Sequence, residues 1–172
     1  MCYRHSCGAS GGCPALSPEV LAAQDVVVVI DGSSSILNTD FEKELEFAQA
    51  LACKLEATMM APPTGSSGSR VGLVQFGGTH ALSECDLTTH ADGAEGLRAC
   101  IFGDGTAGAR GVLHLNGEQS PLRQGLQEAL DMHTSQGRPG ANKIVVLLSD
   151  GVVSPAAGLT AQEERDEVTA LS

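Results

Sequence analysis

An unbroken aliphatic run that ends in an acidic, hydroxyl-rich turn constrains this chain more than any other feature. Four valines and an isoleucine, Val26–Ile30, lead directly into Asp31, and Ser33 and Ser35 follow at alternate positions. Strands with no polar position are typical of parallel sheets whose two faces are covered by helices. Ligands of such sheets collect outside the carboxyl ends of the strands. The turn therefore predicts either a divalent-cation site or an ordinary Asp-Gly-Ser loop, and this segment alone does not decide between them.

The next segment has the periodicity of a helix that packs on this strand. Thr39 and Glu42 have the spacing of a capping box. Apolar residues follow at alternating steps of four and three, namely Phe41, Leu45, Ala48, Ala52, Leu55 and Met59. The pattern predicts an amphipathic helix, and the proline- and glycine-rich stretch 61–69 predicts the surface loop that ends it.

Two further strands are predicted after this loop. Arg70–Phe76 is rich in apolar residues, and the glycine pair at 77–78 predicts a hairpin into a shorter strand at 79–85. Because so short a link cannot hold a crossover, the second of these strands is expected to be antiparallel and to lie at an edge. A modest helix is expected over 92–101, followed by an exposed glycine-rich loop over 102–111.

The last third of the chain resembles the first. Ser120 and Pro121 are typical of a helix entrance. The aliphatic run Ile144–Leu148 then predicts a strand that leads into Asp150, much as the first strand leads into Asp31. Two strands of the predicted sheet therefore end in an aspartate.

The predicted order is strand, helix, strand, strand, helix, helix, strand, helix, and the last helix begins at a second capping box formed by Thr160 and Glu163. This order implies an α/β fold, a three-layer αβα open sheet that is mostly parallel with one antiparallel edge strand. A length of 172 residues allows one domain of ordinary size. We expect the domain to cover residues 24–172, after a flexible leader at 1–23 that is rich in cysteine, glycine and serine.

Charge and hydropathy exclude some partners. The formal net charge of -11 repels phosphate backbones and anionic lipid surfaces, so nucleic acid is not an expected partner. No stretch is long enough to span a bilayer, so membrane insertion is not expected. The first 16 residues lack the apolar core of a secretory signal. This absence fits a cytosolic protein and fits equally an exported protein whose true amino terminus is not in the sequence.

Six cysteines leave the cellular compartment open. The three in the leader do not have the paired spacing of structural zinc sites. Cys85 with Cys100 is the favoured disulfide pair. Cys53 is expected to behave as a small buried apolar residue.

The predicted topology brings five oxygen-bearing side chains toward one crevice. If the two strands that end in aspartate are neighbours, roughly 4.8 Å apart, their aspartates face the same space, and the hydroxyl at the helix entrance comes from the connection just before the second strand. The set contains no nitrogen or sulfur and consists of Asp31, Ser33, Ser35, Ser120 and Asp150. Such a set suits a hard cation such as Mg²⁺. Ser120 also has a second interpretation, as a simple N-cap for the helix that it precedes.

Together, the segments DVVVVIDGSSSI, RVGLVQFG, SPLRQGL and KIVVLLSDG resemble a von Willebrand factor A domain, from about Gln24 to the carboxyl terminus. The resemblance implies a metal-ion-dependent adhesion site (MIDAS), in which Mg²⁺ or Mn²⁺ is held by hydroxyls and by aspartates, directly or through water. The D-x-S-x-S element of the family is matched by Asp31, Ser33 and Ser35. Ser120 matches the hydroxyl of the second loop and Asp150 matches the aspartate of the third.

The same resemblance implies a function. The open coordination position of such a site takes an Asp or Glu of a protein partner, which makes the chain a cation-dependent, adhesion-type binding module. The segments are most similar to the integrin I domain, matrilin and collagen branch, which acts outside cells. An extracellular or cell-surface location is therefore expected, with the cytoplasm as the alternative.

Two departures from the family pattern bear on these expectations. Ser120 occupies a position where threonine is usual, and serine lacks the methyl group that restricts the side-chain rotamer. The chain also ends before the last two strands and the final helix of the family. We therefore expect a sequence truncated at its carboxyl terminus, with Ile144–Leu148 as an open apolar edge.

Catalysis is the main alternative of another class, and the motifs argue against it. The turn after Asp31 continues into Ile36, so the G-x-S-x-G nucleophile elbow is absent. The histidines have no motif pairing with the serines, and the glycine-rich stretch at 65–72 lacks the lysine of a phosphate-binding loop. We expect no enzyme activity. A third alternative keeps the fold without the metal, as an intracellular scaffold for complex assembly.

Overall fold

The computed structural model describes residues 23–58, 68–88, 93–105, 111–151 and 160–170. Its elements, in chain order, are β1 Gln24–Asp31, α1 Asn38–Thr58, β2 Ser69–Gly77, β3 His80–Cys85, α2 Gly93–Phe102, α3 Leu122–Gln136, β4 Asn142–Leu148 and α4 Ala161–Ala170. The order of strands and helices is the predicted one. Almost all of the predicted leader at 1–23, most of the predicted loop at 61–69 and half of the predicted loop at 102–111 lie outside the described residues.

The four strands form one sheet in the order β3-β2-β1-β4. β1 pairs in parallel with β2 on one side and with β4 on the other, so that Ile30 lies beside both Gln75 and Leu148. β2 and β3 form the predicted antiparallel hairpin, in which Gly77 pairs with His80. The strands that lead into the two aspartates are therefore neighbours, as predicted.

β1 is buried on both faces, which the valine run predicted. Its alternate side chains belong to two apolar clusters, because successive residues of a strand point to opposite faces. The cluster on the side of α1 and α2 contains Val26, Val28, Ile30, Phe41, Leu45, Ala48, Leu73, Leu97 and Ile101, among others. The cluster on the side of α3 contains Val27, Val29, Val74, Phe76, Leu87, Ala129 and Met132. Helices therefore cover both faces of the sheet, and the fold is the predicted αβα open sheet.

Two of the predicted helix boundaries are wrong. α1 begins at Asn38, so Thr39 lies inside the helix and not at its cap, and the carbonyl oxygen of Leu37 accepts hydrogen bonds from the first-turn amides. The cap position of α3 is Pro121, with no side-chain cap hydrogen bond. The predicted box at Thr160 and Glu163 is confirmed, because each backbone amide donates to the side chain of the other residue.

Disulfides involve all the cysteines that the structure describes. Cys85, which is buried, is bonded to Cys100, and this confirms the predicted pair. Cys53 is also disulfide-bonded, to a partner outside the described residues, so the expectation of a simple apolar cysteine was wrong. The spacing of single cysteines could not reveal this pairing.

Across the described part of the chain, no helix combines the length and the apolar character needed to cross a membrane.

The amino end of β1 is closed by an ion-pair network that the sequence patterns did not predict. Asp25 is fully buried, and its two carboxylate oxygens accept hydrogen bonds from the guanidinium of Arg70 at 2.9 and 2.8 Å. The guanidinium and the backbone amide of Arg138 donate to the same carboxylate. Burial opposes ionisation, but these hydrogen bonds outweigh it and hold the pKa of Asp25 well below its usual range. The network ties β1, β2 and the segment before β4 together.

Candidate metal centre

The carboxyl end of β1 carries a second buried aspartate in a different environment. Asp31 is fully buried, and its Oδ1 accepts a hydrogen bond from the backbone amide of Ser33 at 2.9 Å. Its Oδ2 accepts from the Ser120 hydroxyl at 2.8 Å and from the Ser149 hydroxyl at 3.2 Å. The Ser33 and Ser35 hydroxyls lie 2.9 Å apart. Four of the five predicted site residues thus belong to one hydrogen-bonded group.

Asp150, the fifth predicted residue, lies at the same edge of the sheet. It is exposed and directly follows Ser149, whose hydroxyl contacts Asp31. The Ser149 hydroxyl also accepts a hydrogen bond from the amide of Gly151 at 3.1 Å, which folds the third loop back toward the strand end. The parallel pairing of Ile30 with Leu148 brings the starts of the first and third loops side by side.

The backbone of the second loop, which precedes α3, is joined directly to that of the first loop, which follows β1. Ser33 and Gly117 form a parallel bridge, and the Ser34 amide donates to the Gly117 carbonyl at 2.6 Å. Glycine is required at this contact, because a Cβ atom on Gly117 would overlap the backbone of Gly78. The close approach places Ser120, three residues further along, within reach of Asp31.

Gln75 supports the same loop from inside the sheet. Its side chain is fully buried in β2, where its amide nitrogen donates to the Leu113 carbonyl and its amide oxygen accepts from the Leu115 amide, both at 2.9 Å. Residues 112–115 therefore form a loop that a buried side chain holds in place.

His114 connects the two loops through its side chain. Its Nε2 donates to the Ser33 carbonyl at 3.2 Å, and its Nδ1 lies 2.7 Å from the side-chain oxygen of Asn38. Its ring stacks on Phe41, with the ring centroids 4.5 Å apart. The carbonyl that His114 contacts belongs to Ser33, a predicted site residue. The first loop is therefore restrained both by the His114 side chain and by its connection to β1.

The field around the site is acidic. Burial, together with the charges of Asp31, Asp150 and Asp40, raises the pKa of Glu44 to about 7. The Oε2 atom of Glu44 is buried and has no hydrogen-bond partner among the described residues. Glu44 and Ser149 line the same open groove of about 350 Å³ beside β4. A positive charge near Asp31 would therefore relieve repulsion among these four acidic side chains.

The donor chemistry fits a hard cation. The described residues contain no group of three or more His, Cys, Asp or Glu placed to hold a metal, so the candidate donors are hydroxyls and two aspartates. Asp31 is buried, and among the described residues it takes part in no ion pair, only in hydrogen bonds from neutral groups. A buried carboxylate without a counter-charge is costly. A divalent cation would supply that charge.

Three residues of this region have roles that the sequence patterns did not indicate. Ser149 contributes a hydroxyl to Asp31, Glu44 adds a buried carboxylate oxygen that has no hydrogen-bond partner among the described residues, and His114 joins two loops. Only Ser149 carried a usable signal, because it lies between a predicted strand end and a predicted ligand. Glu44 and His114 reach the site through the packing of α1 and of the second loop, which periodicity does not reveal.

An open αβα sheet with oxygen donors at the carboxyl edge of its central strands defines a class of binding domain. The sequence profile of the von Willebrand factor type A domain matches residues 25–170. The chain therefore belongs to the von Willebrand factor A (VWA) family, and the resemblance found in the sequence is confirmed. Domains of this family are mostly protein-interaction modules without enzyme activity.

Solved structures share this fold. Proximal thread matrix protein 1 from the mussel byssus, in a form whose MIDAS motif is occupied by zinc, aligns with a TM-score of 0.60 at 24% identity over 87% of this chain and 36% of its own. A second crystal form of that protein aligns with a TM-score of 0.57 at 23% identity, over 87% and 35%. The vWF domain of the type V pili tip protein Mfa5 from Porphyromonas gingivalis aligns with a TM-score of 0.52 at 20% identity, over 83% and 43%.

These structural relatives support the fold alone, since all three are below 25% identical. The chain spans less than half the length of each of these solved chains. No curated protein sequence matches the chain significantly.

Proposed function

We propose that this chain is a divalent-cation-dependent, adhesion-type protein-binding module. In this proposal Mg²⁺ or Mn²⁺ is held by Asp31, Ser33, Ser35, Ser120 and Asp150, and the cation coordinates an Asp or Glu of a protein partner. One observation carries the proposal. The fully buried carboxylate of Asp31 accepts hydrogen bonds from neutral donors, and other acids lie near it, since burial together with the charges of Asp31, Asp150 and Asp40 raises the pKa of Glu44 to about 7.

The donor set explains why a partner's acid would be the missing ligand. Mg²⁺ takes about six oxygen ligands in near-octahedral geometry. Five side chains, three of them neutral hydroxyls, leave the cation short of ligands and with strong affinity for a further carboxylate. The chain's own residues bind and orient the cation, because β1 and the backbone bridge between Ser33 and Gly117 fix the positions of the hydroxyls.

The names of the structural relatives support an adhesive role. One is a matrix protein of the mussel byssus that holds zinc in its MIDAS motif, and another is a pilus tip protein. Both names describe proteins that work outside cells. The disulfides of Cys53 and Cys85 point to an oxidising compartment, since disulfides are rare in the cytosol. We therefore propose an extracellular or cell-surface location.

Isothermal titration calorimetry tests the metal half of the proposal. We expect Mg²⁺ and Mn²⁺ to give a binding isotherm with the wild-type chain and no heat with Asp31→Ala. The matched control is Asp131→Ala, which removes an exposed aspartate of α3 and is expected to bind as wild type does. Equal isotherms for wild type and Asp31→Ala would exclude this site.

The open coordination position can be tested with Mn²⁺ in the site. Water exchanging at bound Mn²⁺ enhances proton relaxation, so N-acetyl-aspartate amide should lower the enhancement if its carboxylate replaces that water. The asparagine analogue should have no effect. Partner binding that survives both EDTA and Asp31→Ala would instead favour the metal-independent scaffold.

A further inference from the structure

The two most exposed large apolar side chains in the described residues lie beside the candidate metal centre. Leu37 is 65% exposed and Leu113 is 63% exposed, whereas every other exposed large apolar residue is below 50%. Single exposed leucines are common and need no explanation. These two are not scattered, because Leu37 lies in the first loop, two residues after Ser35, and Leu113 lies in the second.

A hydrogen bond between their sequence neighbours links the two loops that carry these leucines. Leu37 directly precedes Asn38 and Leu113 directly precedes His114, and the side chains of Asn38 and His114 are 2.7 Å apart. The Cα atom of each leucine is therefore about 3.8 Å from the Cα atom of one of the two residues that form this contact. His114 also donates to the Ser33 carbonyl, so this contact lies at the candidate metal loop.

The backbone around each leucine is held firmly, so the outward direction of the side chains is built into the loops. The Leu37 carbonyl accepts hydrogen bonds from the amides of Asp40 and Phe41, both at 2.9 Å, while the neighbouring Ile36 is buried. The Leu113 carbonyl accepts from Gln75 at 2.9 Å, and the Leu115 amide donates to the same side chain. Both leucines are therefore presented to solvent on ordered loops.

We propose that Leu37 and Leu113 form an apolar rim beside the metal centre, and that this rim selects a protein partner whose acidic residue is flanked by large apolar side chains. The inference rests on the proposed function and adds its specificity. The partner's carboxylate would reach the cation, and its apolar neighbours would cover the two leucines. We refer to this pair as the leucine rim.

Charge argues for such a partner over a second copy of this chain. Two copies would each bring a formal net charge of -11, which opposes close approach of like surfaces. A surface that covers the leucine rim also approaches the exposed carboxylate of Asp150, which would lose water without compensation unless a cation and a matching acid were present.

The test uses two short peptides that differ only beside a central aspartate, with the sequences Gly-Leu-Asp-Phe-Gly and Gly-Ser-Asp-Ser-Gly. Both are capped at each end and titrated in Mg²⁺ into the ¹⁵N-labelled full chain, with chemical shifts as the readout. We expect the apolar peptide to bind about tenfold more tightly. The double variant Leu37→Ser and Leu113→Ser should lose this preference and keep the calorimetric Mg²⁺ isotherm of the wild type.

The matched control replaces two exposed leucines elsewhere, Leu82 on β3 and Leu130 on α3, which are 39% and 36% exposed. Leu82→Ser with Leu130→Ser should keep the preference for the apolar peptide. Because all four leucines are exposed, none of the substitutions removes a buried core side chain. Thermal unfolding of both double variants verifies that the fold is retained.

Three outcomes would overturn the inference in different ways. Equal Mg²⁺-dependent affinity for both peptides removes the leucine rim but keeps the proposed function. Binding of neither peptide by a chain that does bind Mg²⁺ overturns the acidic-ligand proposal and the rim together. Concentration-dependent dimers in sedimentation velocity that disappear in the Leu37→Ser and Leu113→Ser variant would identify the rim as a contact between copies of this chain.

Discussion

The two ends of β1 place the same residue type in opposite circumstances. Asp25 and Asp31 are both fully buried aspartates on one strand. At the amino end, two arginines neutralise Asp25 and hold its pKa low. At the carboxyl end, Asp31 receives only hydroxyl and amide hydrogens and faces other acids. The comparison shows that arginines neutralise the buried carboxylate at the amino end, whereas Asp31 takes part in no ion pair among the described residues, which supports the proposed cation site at the carboxyl end.

The largest expected effect is the loss of folding stability when the ion pairs of Asp25 are broken. Asp25→Asn leaves the Arg70 and Arg138 side chains, 21% and 20% exposed, without their carboxylate. We expect the free energy of unfolding to fall by about 3 kcal/mol. Asp31→Asn without metal should change it by less than about 1 kcal/mol, since an amide oxygen still accepts from the serines and a repulsive charge is removed. Urea unfolding of both variants makes the comparison, and equal losses would contradict it.

Binding of Mg²⁺ should reverse which of the two substitutions, Asp25→Asn or Asp31→Asn, lowers stability more relative to wild type. A ligand that binds only the folded state at a hundred times its Kd stabilises that state by about 2.7 kcal/mol. We expect this gain for Mg²⁺ with wild type and with any folded fraction of Asp25→Asn, and no gain with Asp31→Asn. Thermal unfolding with and without Mg²⁺ gives the result. Stabilisation of Asp31→Asn by Mg²⁺ would show that the cation binds elsewhere.

The pH dependence of stability should also differ between the two ends. The pKa of Glu44 is raised to about 7 in the folded chain, so the folded state holds a proton that the unfolded state releases near the ordinary value of 4.5. Its ionisation therefore lowers stability as pH rises from about 4.5 to about 7. Glu44→Gln should remove this loss, which makes the variant more stable than wild type at pH 8 and equal to it in acid.

Unfolding of wild type and Glu44→Gln across this pH range, without metal, isolates the contribution of Glu44 from those of other titrating groups. Asp25 has the opposite sign. Its pKa is lowered, so its contribution is complete above about 3.8 and is lost only in stronger acid. If the stability difference between wild type and Glu44→Gln did not depend on pH, burial and the neighbouring acids would not raise the pKa of Glu44 in the folded chain.

The smallest effect concerns the support of the first loop by His114. His114→Phe keeps an aromatic ring to stack on Phe41 and removes the hydrogen bonds to Ser33 and Asn38. One lost hydrogen bond is worth about 1 kcal/mol. We therefore expect the free energy of unfolding without metal to fall by about 1 kcal/mol, and Mg²⁺ affinity to fall about fivefold because the first loop is held less firmly. His80→Phe, on the exposed start of β3, is the control and should bind Mg²⁺ as wild type does.

Local sequence patterns predicted most of this fold because most of its strands and helices have a clear periodicity or a clear boundary motif. The valine run, the glycine hairpin and the Thr160 capping box each follow from side chains close together in the chain. Thr39 failed as a cap because α1 starts one residue earlier, at a backbone carbonyl. The Ser120 hydroxyl gives no cap hydrogen bond and contacts Asp31 instead, which a local propensity cannot reveal.

Sequence patterns indicated the candidate site residues that directly follow strand ends. They did not indicate the residues that tertiary packing brings to the site from other segments. Asp31, Ser33, Ser35 and Asp150 follow two strands that the pattern already placed side by side. The ion pairs of Asp25 join residues 45 and 113 positions apart, and no period or motif links them. The disulfide of Cys53 is another such long-range pairing.

Anomalous diffraction from a crystal of this chain soaked in Mn²⁺ tests the contrast between the two ends most directly. We expect one strong peak at the carboxyl end of β1, within direct or water-bridged reach of Asp31, Ser33, Ser35, Ser120 and Asp150, and no peak near Asp25. A peak elsewhere, with density at Asp31 that matches the metal-free arrangement of its serines, would contradict the proposed metal site.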